Sequence, residues 1–258
     1  MSNNIVVFSN NNDQIEYGGI VWTPSVISTA AWFDASDSST ITIDGSNKVS
    51  DWLDKSGNDN HATQVISSEQ PTYVSSDSLA NNKGSLTSSG SDYVGMDTPS
   101  FSARQIYAIM YYKTGVETTF GTYHGILSNV DNYKNTSPLT RNYRIIGNSG
   151  SNSWLTTNRF NDNTYVNATT SSSNIALPMP LTMFRFRSSD IRTQAFSLGR
   201  HNEVSNRSWH GGYSEFIFTD GTEDLDTQQK IEGYLAHKWG ISSSLPSDHP
   251  YKGTRPYV

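Results

Sequence analysis

Three groups of residues have the types and spacing to do chemistry. The first are the acids. Hydrolysis of a glycosidic bond takes two carboxyl groups flanking that bond. Glu215 lies on a predicted strand, alternating with Tyr213 and Ile217 on its own face, with no second acid beside it. It is expected to be a rim or interior acid satisfied by backbone or Arg donors. Glu223, Asp224 and Asp226 precede or open a predicted helix, where the dipole favours negative charge. The second group is the string Asp54-Lys55-Ser56-Gly57-Asn58-Asp59-Asn60. Asp54, Ser56, Asn58 and Asn60 offer oxygens at alternate positions, which suits calcium. The string lacks a terminal bidentate Glu, and the same residues form Asx turns with no ion, so both readings stand. The third group is Tyr123, His124, Tyr133, Tyr143, Trp154, Arg159 and Tyr165, set among Asn, Ser, Thr and Asp. Flat rings with amide and carboxylate neighbours bind sugars by stacking and hydrogen bonding. The same mixture marks an interface between protein chains.

Other chemistries lack their residues. The six His form no His-x-x-x-His or His-Glu-x-x-His pair, so zinc is not expected. There is no Gly-x-x-x-x-Gly-Lys or Gly-x-Gly-x-x-Gly string for a nucleotide, and no Gly-x-Ser-x-Gly elbow. Cysteine is absent, which removes disulfides, thiolate metal sites and a Cys nucleophile. The 18 Lys and Arg against 24 Asp and Glu give −6, with no basic run to hold a phosphate backbone, so nucleic acid is not an expected partner. No apolar run approaches ~18 residues, so no membrane helix is expected. The start, Met1-Ser2-Asn3-Asn4-Ile5, does not read as a secretory signal.

The elements that must position these groups are mostly strands. Charged residues make up only 16% of the 258, and aromatics 12%, which points to a neutral-polar surface over an aromatic core. Strands are predicted at Ile5 to Phe8, Ile20 to Trp22, Ala30 to Phe33, Val49 to Leu53 and Gln105 to Tyr112. Further runs are Tyr143 to Ile146, Thr182 to Phe186, Ala195 to Leu198 and Gly212 to Phe218. Turn dipeptides such as Asp44-Gly45, Ser149-Gly150 and Asp220-Gly221 separate them. Many short strands argue for a sandwich or barrel. One helix is predicted near the C-terminus. Asp226 is its expected N-cap, with Gln229 completing a capping box. Ile231, Tyr234, Leu235 and Trp239 form its apolar stripe, and Gly240 its stop. Trp32, Trp52 and Trp239 are expected to pack in the core. Gly233, inside the helix, is expected where a neighbour packs close.

Several segments carry a family resemblance. They are Ala31-Trp32-Phe33-Asp34-Ala35-Ser36-Asp37, Val49 to Gln64, Gln70-Pro71-Thr72-Tyr73, Gly211 to Phe216, Ile231 to Gly240, and Leu245 to Lys252. In order and distance they resemble laminin-G-like, concanavalin A-like lectin/glucanase domains of marine bacteria and bacteriophage virion proteins, over about Pro24 to Lys252. The resemblance implies an all-β, concanavalin A-like jelly-roll sandwich of two antiparallel sheets with one C-terminal α-helix. It leaves function open, because this architecture hosts lectins, hydrolases, lyases and inert modules. The acid signature of its hydrolases, Glu-x-Asp-x-x-Glu, is absent. Tyr111-Tyr112-Lys113-Thr114-Gly115-Val116 resembles a cleft strand of its alginate-lyase branch, without the companion strands. Its ordinary reading is an edge strand with a solvated Lys.

The expected organisation is an N-terminal attachment arm at residues 1–23 and a jelly-roll domain at 24–258. The expected function is a non-enzymatic phage virion protein, a capsid decoration, fibre or tail component. It would present a lectin-like domain to a cell-surface glycan and assemble with other virion proteins or with itself as a homo-oligomer. No catalytic residue is expected, and calcium is the only cofactor the sequence suggests. It would be made in the host cytoplasm and carried on the virion. The alternatives are a polysaccharide-active enzyme or an extracellular bacterial carbohydrate-binding module.

Overall fold

A computed structural model describes residues 7–8, 16–17, 19–113, 123–129, 145–148, 156–158, 163–170, 177–201 and 205–258 of the chain. β1 (Val7–Phe8) and β2 (Glu16–Tyr17) pair with each other. The short strands β3 (Ala31–Asp34), β4 (Ile41–Ile43), β5 (Val49–Trp52) and β6 (Ala62–Thr63) follow. A hairpin of β7 (Thr72–Asp77) and β8 (Lys83–Ser89) leads to the long β9 (Met96–Tyr112). The middle holds β10 (Tyr123–Asn129), β11 (Ile145–Asn148), β12 (Thr156–Asn158), β13 (Asn163–Val166) and β14 (Thr169–Thr170). Then come β15 (Met179–Leu198), β16 (His210–Thr219) and the helix α1 (Leu225–Lys238).

The strands run β12-β11-β10-β15-β9-β16-β8-β7, with β13 added to β15, β3 to β16 and the β4-β5-β6 meander to β9. Every named pairing is antiparallel, and the fold is an all-β sandwich with one C-terminal helix. The register of β15 on β9 breaks between Arg187 and Arg192. Such a break bends and twists the strand, so Phe184 and Phe186 on one side and Phe196 and Leu198 on the other face one core.

β9 shows why its sequence is nearly continuous apolar. Ile106, Ala108, Met110 and Tyr112 enter the aromatic core with Phe33, Trp52 and Phe216. Tyr107, Ile109 and Tyr111 point to the other face, in one apolar cluster with Ile231 and Leu235 of α1 and Trp239 just after it. A strand buried on both faces loses its polar alternation. The strand of Tyr111 is thus central, between β15 and β16, and not the edge its sequence suggested.

The predicted stripe of α1 is buried, with Ile231, Leu235 and Trp239 closed to solvent. Its N-cap is Asp224, two residues before the expected Asp226, and its carboxylate accepts from the Thr227 N–H at 2.8 Å. Asp226 lies in the first turn and pairs with Lys230 at 2.8 Å. A Cβ on Gly233 would sit 2.5 Å from Cβ of Tyr251, so the tail after α1 can pack only on glycine there.

The end of the expected arm belongs to the sandwich. Val21 pairs antiparallel with Tyr257, the Trp22 N–H donates to the Pro256 carbonyl at 3.0 Å, and the Val258 N–H donates to Ile20 at 2.9 Å. Trp22 is buried edge-on to Tyr234. A Trp ring is too large and apolar to leave in water when a groove beside α1 can take it. Residues 20–22 of the expected arm are thus paired with the C-terminal tail. Trp22→Ala should lower the free energy of urea unfolding by roughly 3–5 kcal/mol, as a large-to-small core change. A loss below about 0.5 kcal/mol would make residues 19–22 a detachable arm after all.

Candidate functional site

Of the acids singled out in the sequence, Glu215 is the most enclosed. It is fully buried in β16, and its carboxylate receives side-chain donors only. Oε1 accepts from Trp32 Nε1 at 2.8 Å and the Tyr234 hydroxyl at 3.1 Å. Oε2 accepts from Trp239 Nε1 at 2.6 Å and Lys238 Nζ at 2.8 Å. The partners are thus Trp, Tyr and Lys, not the backbone or Arg donors expected. Lys238 also reaches Asp34 at 2.6 Å, and Lys55 ties Asp34 to Asp37 at 3.0 and 2.8 Å. Burial pushes the Glu215 carboxyl above its ordinary value, with the Lys238 charge pulling it back. At Asp34 burial also pushes upward, but Lys238, Ser36 and Lys55 outweigh it and hold the carboxyl below the usual range. Both acids are closed to solvent, with their oxygens turned to these interior partners.

The expected calcium string forms a turn that uses its own oxygens. Asp54 accepts from the N–H groups of Trp32, Ser56 and Asn60 at 2.8, 2.8 and 3.1 Å, and from the Ser56 hydroxyl at 2.6 Å. Asn58 and Asn60 donate their amides to the carbonyls of Thr29 and Ala30 at 2.7 and 2.8 Å. Among the described residues, no group of three or more His, Cys, Asp or Glu is placed to share a metal ion.

The aromatic set is only partly described, and its described members do not converge. Tyr133, Tyr143, Trp154 and Arg159 lie outside the described residues. Tyr123 is on β10 opposite Asn148. Its neighbour His124 is fully buried, with Nδ1 2.6 Å from the Ser208 carbonyl and its ring against Tyr112, and in this structure it packs the core. Tyr165 lies on β13, with the Arg185 guanidinium 3.6 Å from its ring centre. β10 and β13 pair with opposite halves of β15, which separates Tyr123 and His124 from Tyr165.

The open site of the molecule lies elsewhere. A groove of about 740 Å³ crosses β7, β8 and the adjoining ends of β9 and β16. Thr72, Thr87, Ser89, Tyr111, Lys113, His210 and Lys48 line it, with Asp77 as its one lining carboxylate. The register Thr72↔Thr87 puts two hydroxyls side by side. Asp77 accepts from the Leu79 N–H at 2.9 Å, the Ser85 hydroxyl at 2.5 Å and the Tyr111 hydroxyl at 2.6 Å. Burial first, then the bond to Asp77, push the Tyr111 phenol well above its ordinary range. Tyr111 can come this close to β16 because its neighbour there is Gly212, whose Cβ would lie 2.3 Å from the Tyr111 ring. Lys48 donates to the Gln70 carbonyl at 3.2 Å and the Thr72 hydroxyl at 3.1 Å, whereas Lys113 is exposed.

A second hollow of about 370 Å³ shares Ser78, Leu79, Tyr111 and Lys113 with the groove and adds Pro178, Met179, Pro180 and Leu181. The whole is a hydroxyl-lined trough with an apolar end. Such a surface can hydrogen-bond and pack against a polyhydroxylated chain. Among the described residues its lining holds one carboxylate, not the pair that glycoside hydrolysis takes. The sequence brought Tyr111 and Lys113 forward, but the threonines and serines beside them are assembled by strand register. The chain matches no family model, no curated protein and no solved structure.

Two measurements check these assignments. Because the folded protein holds the Glu215 proton more tightly than the unfolded chain, stability from this group is greatest below its ordinary pKa of 4.5 and falls as the pH rises from there. Glu215→Gln has no such titration, so wild type should lose stability relative to the variant as the pH rises above the ordinary value of 4.5 in urea unfolding. A pH-independent difference would mean the carboxyl titrates alike in both states. Asp54→Ala should cost roughly 1–3 kcal/mol with or without calcium, since it strands buried N–H donors. A calcium-dependent rise in the wild-type melting temperature, absent from the variant, would assign the loop to an ion.

Proposed function

We propose that this protein is a non-enzymatic virion component of a bacteriophage, a decoration, fibre or tail protein whose lectin-like sandwich binds glycan in the Tyr111–Lys113 groove. The observation that carries the binding reading is the trough itself, lined among the described residues by hydroxyls and by one carboxylate already engaged by three donors. Hydroxyls and a free ammonium recognise sugar hydroxyls and acidic substituents without altering them. A hydrolase would need a second carboxylate in the groove. A lyase would need Tyr111 to give up or accept a proton, yet its hydroxyl is held by Asp77 in a setting that resists ionisation. The virion reading is supported by the family resemblance of the two ends of the chain. It is also supported by the apolar run Ile5-Val6-Val7-Phe8 ahead of the sandwich, which suits attachment to another copy or to a scaffold. Among the described residues, no helix is long and apolar enough to cross a membrane.

Affinity electrophoresis through gels containing alginate, laminarin or bacterial capsular polysaccharide tests the binding reading. At least one polymer should retard the wild-type protein. Lys113→Ala and Thr87→Tyr should restore most of its mobility, each weakening binding by about tenfold or more, near 1.4 kcal/mol. New reducing ends or unsaturated uronates, abolished by Tyr111→Phe, would make it an enzyme. Absence of the protein from purified virions by mass spectrometry would remove the virion assignment.

A further inference from the structure

A third hollow, of about 230 Å³, lies where residues 19–22 meet the C-terminal tail beside the end of α1. Its lining holds Lys83, His237, Lys238 and Arg255, walled by Tyr234 and Pro256, and no carboxylate. Two of these bases are committed: Lys238 to Asp34 and Glu215, and His237, whose Nε2 lies 2.8 Å from the Tyr251 carbonyl. Lys83 and Arg255 have neither an ion-pair nor a hydrogen-bond partner among the described residues. Arg255 is exposed and Lys83 half-buried, so both charges are open to a solute.

The end of a helix ordinarily repels anions, because its last carbonyls carry partial negative charge. Here three of the last four carbonyls have partners. Leu235, His237 and Ala236 accept from the N–H groups of Trp239, Gly240 and Ile241 at 3.0, 3.4 and 2.8 Å. The full charges of the lining side chains outweigh the partial charge of about half a unit that remains at the helix end. The volume is below the ~300–1,000 Å³ of a pocket for a drug-sized ligand, and equals about seven or eight water volumes. It suits a single group and not a polymer. An arginine and a lysine lining one hollow suit a tetrahedral oxyanion, which accepts several charge-assisted bonds at once.

We propose that this hollow is an anion site for a sulfate or phosphate ester, held by Lys83 and Arg255 and independent of the Tyr111–Lys113 groove. A sulfated sugar and a phosphorylated molecule present the same tetrahedral chemistry. The two sources separate by comparing glucose 6-sulfate with glucose 6-phosphate.

Isothermal titration of the full chain with inorganic sulfate and inorganic phosphate, chloride being replaced at constant ionic strength, tests the site. Wild type should bind one equivalent of at least one of them below about 10 mM. The double variant Lys83→Gln, Arg255→Gln should weaken binding by tenfold or more, while its circular dichroism and melting temperature without anion stay those of wild type. Lys83→Arg should retain binding, and Lys113→Ala should leave it unchanged. A tenfold preference for either sugar ester would name the source. Equal binding by wild type and the double variant would overturn the proposal, as would no binding by wild type or a loss caused by Lys113→Ala.

Discussion

A carboxylate enclosed between a sheet and a helix is costly unless donors surround it, since an unpaired buried charge costs several kcal/mol even after relaxation. At Glu215 the donors are Trp32 on β3 and Tyr234, Lys238 and Trp239 on or just after α1. Satisfying one carboxylate thereby fixes three things. It sets the rotation of α1, because residues 234, 238 and 239 must face β16. It supports the pairing of β3 with β16, where Asp34 lies opposite Glu215 and both acids reach Lys238. It also closes the outer face of β9, so that Tyr107 and Ile109 can be apolar on that side. A buried ion pair of this kind adds little net stability over a well-packed apolar cluster, but one arrangement satisfies it far better than its neighbours.

The same strand explains where the groove lies. β16 pairs with β8 from His210 to Tyr213 and with β3 from Glu215 to Phe218, and its register on β9 shifts between those two stretches. The Glu215 half is sealed by α1. The other half carries Gly211 and Gly212 in place of side chains and opens toward β7 and β8. The molecule thus has one locked end and one accessible end on a single strand. The acids in contact with Lys238 are in the locked end, and the hydroxyls are in the open one.

Much of this architecture was legible in the sequence, and the rest was not for physical reasons. The stripe Ile231, Leu235 and Trp239 is a local pattern, and the helix lies where the pattern put it. The capping acid was displaced by two residues because Asp224 and Asp226 are both suitable, and only backbone geometry decides between them. Trp32 and Glu215 are 183 positions apart, so neither local pattern named the other as its partner. Ile20-Val21-Trp22 looked detachable because its partners are the last residues of the chain. His124 was singled out for its polar neighbours, yet composition does not say which face of a strand a ring takes. The groove was visible only as Tyr111 and Lys113, because Thr72 and Thr87 become neighbours through register alone.

The central claim is that the Glu215 carboxylate couples the helix to the sheet. A double-mutant cycle between Glu215→Gln and Trp239→Phe, read by urea unfolding, measures that coupling directly. The phenyl ring keeps most of the buried surface and removes only the indole donor. A coupling energy of about 1–3 kcal/mol is predicted, within the roughly 0.5–3 kcal/mol found for contacting groups in one network. Additivity within about 0.3 kcal/mol would contradict it and leave the helix held by apolar packing alone.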